Sequence, residues 1–209
     1  MVSGAIGKSA RRGGWFYAAL AAWAAVVVIY LGWLTAYSFA PGGLANPPRL
    51  QAVALPRARD ADSHLLVMAV HPKCPCSRAS VGELGRLLAQ SRDRLECVVL
   101  VYRPHEQRGS WSDTDLVETT RLQPHTQIAD DTDGQLARQL GMTTSGSVVL
   151  YSPQGEPEFW GGITMARGHA GDNIGSDAIL AILSGAEPAR RTAPVFGCRI
   201  HADTIAASK

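Results

Sequence analysis

The feature that most constrains this chain is a stretch of 25 residues, Trp15 to Phe39, that contains no charged side chain. About 20 consecutive apolar residues are enough for a helix to cross the hydrocarbon core of a bilayer. Aromatic rings, which favour the headgroup region, stand near both ends of the stretch. The pattern predicts one transmembrane helix, because a buried core helix this long and this uniformly apolar would be unusual.

A cleaved signal peptide is the main alternative for the same stretch. Its apolar region is expected to span roughly 7–15 residues and to end at a small-x-small cleavage site. Here the apolar run is longer, and a cut after Ala40 would leave Pro41 next to the scissile bond. The sequence therefore favours an uncleaved, single-pass anchor.

The charges that flank the stretch predict its orientation. Lys8, Arg11 and Arg12 precede it, and the next charged residue after it is Arg49. The positive-inside rule then places the N-terminus in the cytoplasm and the rest of the chain outside. In a bacterium this predicts an inner-membrane protein with a periplasmic domain, in a compartment where disulfides form and persist.

The composition of the chain bears on which partners and cofactors it is expected to bind. The chain is 46% hydrophobic and 18% charged, which is typical of a globular protein. Its formal net charge of +2 is too small to indicate nucleic acid as the main partner. The chain contains no Gly-rich phosphate loop and no His-Glu-x-x-His motif, so no nucleotide cofactor and no zinc-protease site are predicted.

Five short apolar runs alternate with segments of helical spacing after His64. The strands are predicted at residues 65–70, 97–102, 127–129, 147–151 and 158–163. The helices are predicted after residue 76, at 112–122, at about 135–140 and before Gly185. The order βαβα(β)αββα indicates parallel pairing, helices on the faces of the sheet and a closing antiparallel hairpin. A further edge strand is predicted at Leu50 to Leu55.

These patterns divide the chain into five parts. They are a cytoplasmic N-terminus (1–14), the anchor (15–39), a Pro- and Gly-containing linker (40–63), an α/β domain (64–185) and a C-terminal tail (186–209).

A pair of cysteines stands where the first strand gives way to the first helix. The unpaired N–H groups and the dipole of a helix start favour a thiolate, so Cys74 and Cys76 are predicted as the catalytic thiols. Pro75 fits the first turn of a helix, where its missing N–H costs nothing. The alternative is a pair of incidental, buried cysteines.

This order of elements, with a cysteine site between the first strand and the first helix, resembles the thioredoxin-like superfamily over residues 64–185. The resemblance implies a three-layer α/β fold with a central mixed sheet, preceded here by one transmembrane helix. The usual family motif is Cys-x-x-Cys, whereas this chain has one residue between its cysteines. Gly146 stands where the family has a cis-proline beside the redox pair, so docking on that loop is expected to differ. The run Cys74-Pro75-Cys76-Ser77 is also similar to the Cys-Pro-x-Ser/Thr site of peroxiredoxin-like proteins, which implies Cys74 as the reactive thiol.

The Gly-rich loop 161–175 matches the connection between the last strand and the last helix of the thioredoxin-like fold, on the face of the cysteines. Arg167 and His169 are therefore candidates for stabilising a thiolate or moving protons. A polar turn that faces water is the alternative. Together with the later run VFGC, the loop resembles a RedB-like group of membrane-anchored thioredoxin-fold proteins.

Two further cysteines differ in their surroundings. Cys198 lies in a tail with apolar residues that can dock, so it is a candidate resolving thiol or third metal ligand, with a packed or lone thiol as the alternative. Cys97 opens a buried strand and is predicted to be structural.

Two functions follow from these residues. The first is a thiol–disulfide oxidoreductase that acts on protein thiols or disulfides without a cofactor or resident metal, with a thiol peroxidase as its variant. The alternative is a copper- or zinc-binding module that uses Cys74 and Cys76 with His71 or Cys198.

Overall fold

The computed structural model describes residues 6–55, 62–91, 93–107 and 110–200, with the backbone alone at 6–13 and 110. The parts of the predicted N-terminus, linker and tail at 1–5, 56–61 and 201–209 lie outside the described residues, as do the side chains of Lys8, Arg11 and Arg12. The chain divides into two compact units, with the boundary between Ala40 and Pro41.

The first unit contains helix α1, Ile6–Ser38. Its segment Gly14–Ser38 is long and apolar enough to cross a membrane, and none of it is buried. The hydroxyls of Thr35 and Ser38 donate to the carbonyls four residues earlier at 2.8 and 2.9 Å, so these polar groups are satisfied within the helix.

The second unit is built on a five-stranded mixed sheet with the order β3-β2-β1-β4-β5. The strands are β1 (His64–Val70), β2 (Leu95–Arg103), β3 (Thr126–Thr132), β4 (Ser147–Tyr151) and β5 (Pro157–Gly162). The helices are α2 (Ser77–Gln90), α3 (Asp115–Arg121), α4 (Gln135–Gln139) and α5 (Ile174–Leu183). Strands β1, β2 and β3 are parallel, and β4 and β5 are antiparallel, as the sequence predicts.

Strand β1 is covered on both faces, which explains its continuous apolar run. Leu66, Met68 and Val70 join a core cluster that includes residues of α2, α3 and α5. Leu65 and Val67 point the other way, into a second cluster with residues of α4. Helices therefore lie on both faces of the sheet, and the predicted three-layer α/β architecture is confirmed.

The segment after α1 differs from the sequence expectation. The edge strand predicted for Leu50 to Leu55 is wrong, because residues Leu50–Ala52 form a 3-10 turn. The segment 41–55, expected as part of a linker, lies against the domain: Gly42 N–H donates to Val195 O at 2.8 Å, and Tyr151 Oη–H donates to Pro48 O at 3.2 Å. Each bond has a main-chain partner in the segment 41–55, and main-chain groups leave no trace in the hydropathy pattern.

The bounds of one helix and one strand also differ from those predicted from the sequence. Helix α3 begins at Asp115 rather than near Ser112, because Thr114 Oγ1 accepts from Val117 N–H and caps the helix. Strand β3 is seven residues long, since its pairing with β2 continues past the apolar run at residues 127–129.

The described part of the C-terminal tail is packed against the domain. Trp160 of β5 pairs with Thr192 in parallel, so the tail first follows the sheet edge. The side chains of Val195, Phe196 and Ile200 are then buried. The tail thereby passes from the edge at β5 to the start of β4, which brings Cys198 next to the loop that follows β1.

A substitution at Gly175, in the first turn of α5, tests the packing of this helix against β5. A Cβ added there would lie 2.0 Å from the carbonyl oxygen of Gly162 at the end of β5. We expect Gly175→Ala to lower the free energy of unfolding by about 1–3 kcal/mol, because helix and strand must separate. Denaturant unfolding of the full chain in detergent micelles measures this.

Gly82→Ala is the matched control, because Gly82 lies inside α2 with open space around its Cβ position. This change should raise the free energy of unfolding by roughly 0.5–1 kcal/mol through helix propensity. Equal unfolding midpoints for the two variants would contradict the close contact between α5 and β5.

Candidate functional site

Three cysteine side chains meet at the end of β1. Cys74 lies in the loop between β1 and α2, Cys76 is the N-cap residue of α2, and Cys198 comes from the tail. Their sulfur atoms all lie within 4.8 Å of one another. Cys74 is buried and the other two are partly buried. Cys97 lies elsewhere, in the core on β2, as expected for a structural thiol.

Cys198 is held in place by main-chain pairing between the tail and the segment that precedes β4. Ser145 N–H donates to Cys198 O at 2.8 Å, and Ile200 N–H donates to Thr143 O at 2.9 Å. Thr144 and Arg199 form an antiparallel bridge between these bonds. The cysteine is therefore positioned by its backbone, as in a short two-stranded sheet.

Gly197 allows this pairing to be close. A Cβ at residue 197 would lie 1.9 Å from Ser145 O, so a residue with a side chain does not fit. The Arg167 guanidinium donates to the carbonyl oxygen of Gly197 and ties the loop between β5 and α5 to the tail. Arg167, predicted as a supporting residue, is thus brought to the cysteine cluster.

A chain of hydrogen bonds leads from the end of β1 to Cys74. His71 N–H donates to Ser145 Oγ at 2.7 Å, and Ser145 Oγ lies 2.6 Å from Ser77 Oγ. Ser77 bonds the Cys74 sulfur in a way that lowers its pKa, so Ser77 is the donor to that sulfur. Ser145 must then donate to Ser77. Both serines are only 1% exposed, which isolates these hydrogen bonds from water.

The pKa shifts of the three thiols differ in direction, and they favour the charged form at Cys74. Burial raises the pKa of its thiol, but hydrogen bonds from Ser77 and from the side chain and N–H of Cys198 outweigh it, and the pKa lies below its ordinary value. Burial raises the pKa of Cys76, and the charge of Cys74 raises it further. Burial and the hydrogen bond to Cys74 raise the pKa of Cys198 to about 12. The thiolate form is therefore favoured more at Cys74 than at Cys76 or Cys198.

Gly146 has a different role from a cis-proline. Its φ of +91° is closed to proline, and the described residues contain no cis peptide bond. Its N–H donates to Ala69 O at 2.8 Å, and a Cβ there would lie 2.6 Å from Ser80 Oγ. Glycine therefore permits the close approach of this loop to α2, and the preceding residue, Ser145, makes the contact toward the cysteines.

His169, the other predicted supporting residue, is exposed. Its Nδ1 lies 2.8 Å from the carbonyl oxygen of Arg167, within the turn formed by Ala166 and His169. The structure thus ties His169 to the backbone of Arg167.

The histidine and the basic residues near the cysteines have partners of their own. The His71 ring stacks on Tyr102 at 5.2 Å, and burial followed by the charge of Lys73 lowers its pKa. Lys73 Nζ lies 4.5 Å from the centre of the Trp111 ring. Arg78 forms an exposed ion pair with Asp115. Among the described residues, the group that could hold a metal ion consists of the three cysteines, without His71.

The positioning roles of Ser145 and Gly197 do not show in the sequence. Both residues stand next to candidate site residues, Gly146 and Cys198. Their roles depend on the pairing of two distant segments, and neither periodicity nor motif spacing reveals such a pairing.

Solved structures of other proteins share the fold of this chain. No family model and no curated protein matches the chain. An uncharacterized conserved protein from Geobacillus kaustophilus is similar in structure, with 17% identity, a TM-score of 0.58 and coverage of 80% of this chain and 95% of the other. A hypothetical protein from Sinorhizobium meliloti shows 19% identity, a TM-score of 0.52 and coverage of 78% and 96%. A secreted Mycobacterium tuberculosis disulfide oxidoreductase shows 14% identity, a TM-score of 0.43 and coverage of 59% and 82%. The domain's own architecture, a five-stranded mixed sheet of order β3-β2-β1-β4-β5 with helices on both faces, is the thioredoxin-like fold that the element order predicts.

Replacing Ser77 tests the hydrogen-bond chain. We expect Ser77→Ala to move the midpoint of Cys74 ionisation up by about one pH unit, because the thiolate loses a hydrogen-bond donor. The ultraviolet absorbance of the thiolate, followed against pH and corrected with Cys74→Ser, measures this midpoint.

Ser184→Ala serves as the control, because the Ser184 hydroxyl is exposed and donates to Ala181 O at the end of α5. An unchanged midpoint in Ser77→Ala would show that the Ser77 hydroxyl does not stabilise the thiolate.

Proposed function

We propose that this chain is a membrane-anchored thiol–disulfide oxidoreductase that acts outside the cytoplasmic membrane through its Cys-Pro-Cys site. The observation that carries the proposal is the cluster of three sulfurs, in which hydrogen bonds stabilise one thiolate, on Cys74. A thiolate next to further thiols is the arrangement that disulfide exchange requires, since one sulfur attacks and another releases the product.

The reaction begins with Cys74. Its thiolate attacks one sulfur of a substrate disulfide, the substrate S–S bond breaks, and the leaving thiolate takes up a proton. A second cysteine then loses its proton and attacks Cys74 in the mixed disulfide. The substrate leaves as a second thiol and has gained two electrons, while the protein holds a new disulfide. The reverse sequence oxidises a substrate.

Cys198 is the resolving thiol in this proposal. Burial, the hydrogen bond to Cys74 and the Cys74 charge keep Cys198 protonated. Once Cys74 is bonded to substrate it carries no charge, so the last two causes vanish and the pKa of Cys198 falls when it is needed as a nucleophile. A bridge from Cys74 to Cys76 would instead close a small ring over Pro75 alone, near the limits of disulfide geometry.

The remaining predicted residues have supporting roles. Burial raises the pKa of Cys76, and the charge of Arg167 offsets a small part of that rise. Arg167 also fixes the backbone next to Cys198. We propose that His169 orients this arginine through the Arg167 carbonyl, and that Gly146 lets Ser145 approach the cysteines. Helix α1 is the proposed inner-membrane anchor, with the domain in the periplasm. The working domain is proposed to extend beyond residues 64–185 to include 41–55 and 186–200, which pack on it.

Thiol trapping with mass mapping tests this function. The full chain in detergent micelles is equilibrated in neutral dithiothreitol buffers of graded potential. We expect two thiols to be lost together, in a peptide pair that joins Cys74 to Cys198, because their sulfurs are adjacent and hydrogen-bonded. Loss of a single thiol on addition of peroxide, at Cys74, would instead support the peroxidase variant.

Single cysteine substitutions identify which two cysteines form the disulfide. Cys76→Ser should keep the Cys74–Cys198 bridge, whereas Cys198→Ser should leave only a Cys74–Cys76 bridge that forms at a more oxidising potential. Cys97→Ala is the control. If all four cysteines remain thiols at every potential, the proposed function is wrong.

The cluster also favours a second candidate function, the binding of copper(I). Three sulfurs within 4.8 Å of one another match a three-coordinate set of soft ligands. A structural zinc site needs four ligands, and the three cysteines are the only members of this group among residues 6–200 as described. The geometry therefore supports copper(I) over zinc.

Anaerobic loading of the reduced chain with copper(I) tests this candidate. We expect one ion per chain, and at least tenfold weaker retention in Cys76→Ser and Cys198→Ser, because each change removes one of three ligands. His71→Ala is the control and should retain the ion, since His71 lies outside the group. Equal loss in all three variants, or no retention in the unaltered chain, would exclude the metal site.

A further inference from the structure

The chain soon after helix α1 is bound to the same segment as the tail. Residues 42–45, which we call the strap, lie against the segment that precedes β4, and Leu44 pairs with Met142 in antiparallel fashion. Ala45 N–H donates to Gly141 O at 3.0 Å. The tail pairs with the next residues of that segment. One stretch of backbone is therefore shared between the strap and the tail that carries the third cysteine.

Two hydroxyl groups tie the strap to the residues on which the tail is paired. Thr143 Oγ1 and Thr144 Oγ1 both donate to the carbonyl oxygen of Gly43, at 2.8 and 2.9 Å. Thr144 is only 2% exposed, so its bond to Gly43 is shielded from water. The backbone of the same two threonines pairs with the tail. They therefore bind the strap with their side chains and the tail with their main chain.

The strap also contacts the tail directly. Gly42 N–H donates to Val195 O at 2.8 Å. A Cβ added at Gly42 would lie 2.9 Å from Thr144 Cβ, and closer still to Thr144 Oγ1 and Cγ2, so glycine permits this close approach. The strap therefore holds both partners of the pairing that places Cys198 beside the other cysteines.

We propose that the strap is a positioning element for the third sulfur, and that its attachment sets how readily Cys198 forms a disulfide with Cys74. The inference rests on the proposed oxidoreductase function and adds a control on the same site. Holding Cys198 in place raises its effective concentration at Cys74, which favours the bridge without any new contact to the sulfurs. Because the strap follows α1 closely in sequence, the chain that joins the proposed anchor to the domain takes part in the chemistry of the site.

The equilibrium with dithiothreitol measures this effective concentration. Reduction of the Cys74–Cys198 disulfide by one dithiol gives two protein thiols and one cyclic dithiothreitol disulfide, with the transfer of two electrons and two protons. The full chain in detergent micelles is equilibrated at graded ratios of reduced and oxidised dithiothreitol. Thiol trapping and mass mapping of the joined peptides then give the potential of this one bridge.

Paired substitutions at the two threonines remove the tie to the strap. Thr143→Val with Thr144→Val deletes both donors and keeps the shape of the side chains and the backbone that pairs with the tail. We expect the bridge to become about tenfold easier to reduce, a rise of about 30 mV in its potential, because two hydrogen bonds of modest net strength no longer hold the segment. Thr143→Ser with Thr144→Ser keeps both hydroxyls and should keep the potential of the unaltered chain.

Matched controls and a second variant separate the strap from general effects. Thr119→Val removes an exposed hydroxyl that donates to Asp115 O in α3, and it should leave the potential unchanged. Gly42→Ala displaces the strap from its own side, with the threonines intact, and should raise the potential in the same direction as the valine pair. Gly82→Ala, which adds a methyl group in open space, should not.

The outcomes distinguish this inference from the function on which it rests. Equal potentials for the valine pair, Gly42→Ala and the unaltered chain would overturn the role of the strap and leave the oxidoreductase intact. An equal rise in the valine and serine pairs would also overturn it, since the effect would then come from packing and not from the bonds to Gly43. A bridge that joins only Cys74 to Cys76 would have the same consequence. Free thiols at every ratio of dithiothreitol would overturn both.

Discussion

The site depends on one non-local contact, the antiparallel pairing of the tail with the segment that precedes β4. Two main-chain hydrogen bonds, Ser145 N–H to Cys198 O and Ile200 N–H to Thr143 O, fix the position of the third sulfur. Gly197 makes the pairing possible, and Arg167 holds it from the adjacent loop. Without this contact, Cys74 and Cys76 would be an isolated pair at a helix start.

The sheet register supplies the other half of the site. Ala69 of β1 lies opposite Ser147 of β4, so the loop after one strand and the loop before the other are neighbours. This adjacency lets His71 N–H meet Ser145 and lets Ser145 meet Ser77. Hydrogen bonds from Ser77, at the end of this chain of hydroxyls, and from Cys198 thus stabilise the thiolate form of Cys74. The basic residues near the motif, Lys73 and Arg78, are engaged with Trp111 and Asp115.

The sequence predicted those parts of the fold that burial controls. Continuous apolar runs located β1, β2 and β4, since strands covered on both faces leave that signature, and helical spacing located α2 and α5. The position of Cys74 and Cys76 between β1 and α2 followed from the same reasoning. The parts that it did not predict are held by main-chain hydrogen bonds between distant segments. They include the docking of residues 41–55 and the position of Ser145. The apolar residues of the tail already made Cys198 a candidate partner for Cys74 and Cys76, but its pairing with the segment before β4 does not show in the sequence.

The path of the tail also bears on how the protein matures. A ribosome makes the chain from its N-terminus, so β1, α2 and their two cysteines emerge well before residue 198. The nascent domain therefore displays a two-thiol site first, and Ser145 N–H and Thr143 O stay unpaired until the last segment arrives. Completion of the chain changes the chemistry of the site, from a neighbouring pair to a cluster of three. Any chain that ends before Gly197 would keep the motif and lack the finished centre.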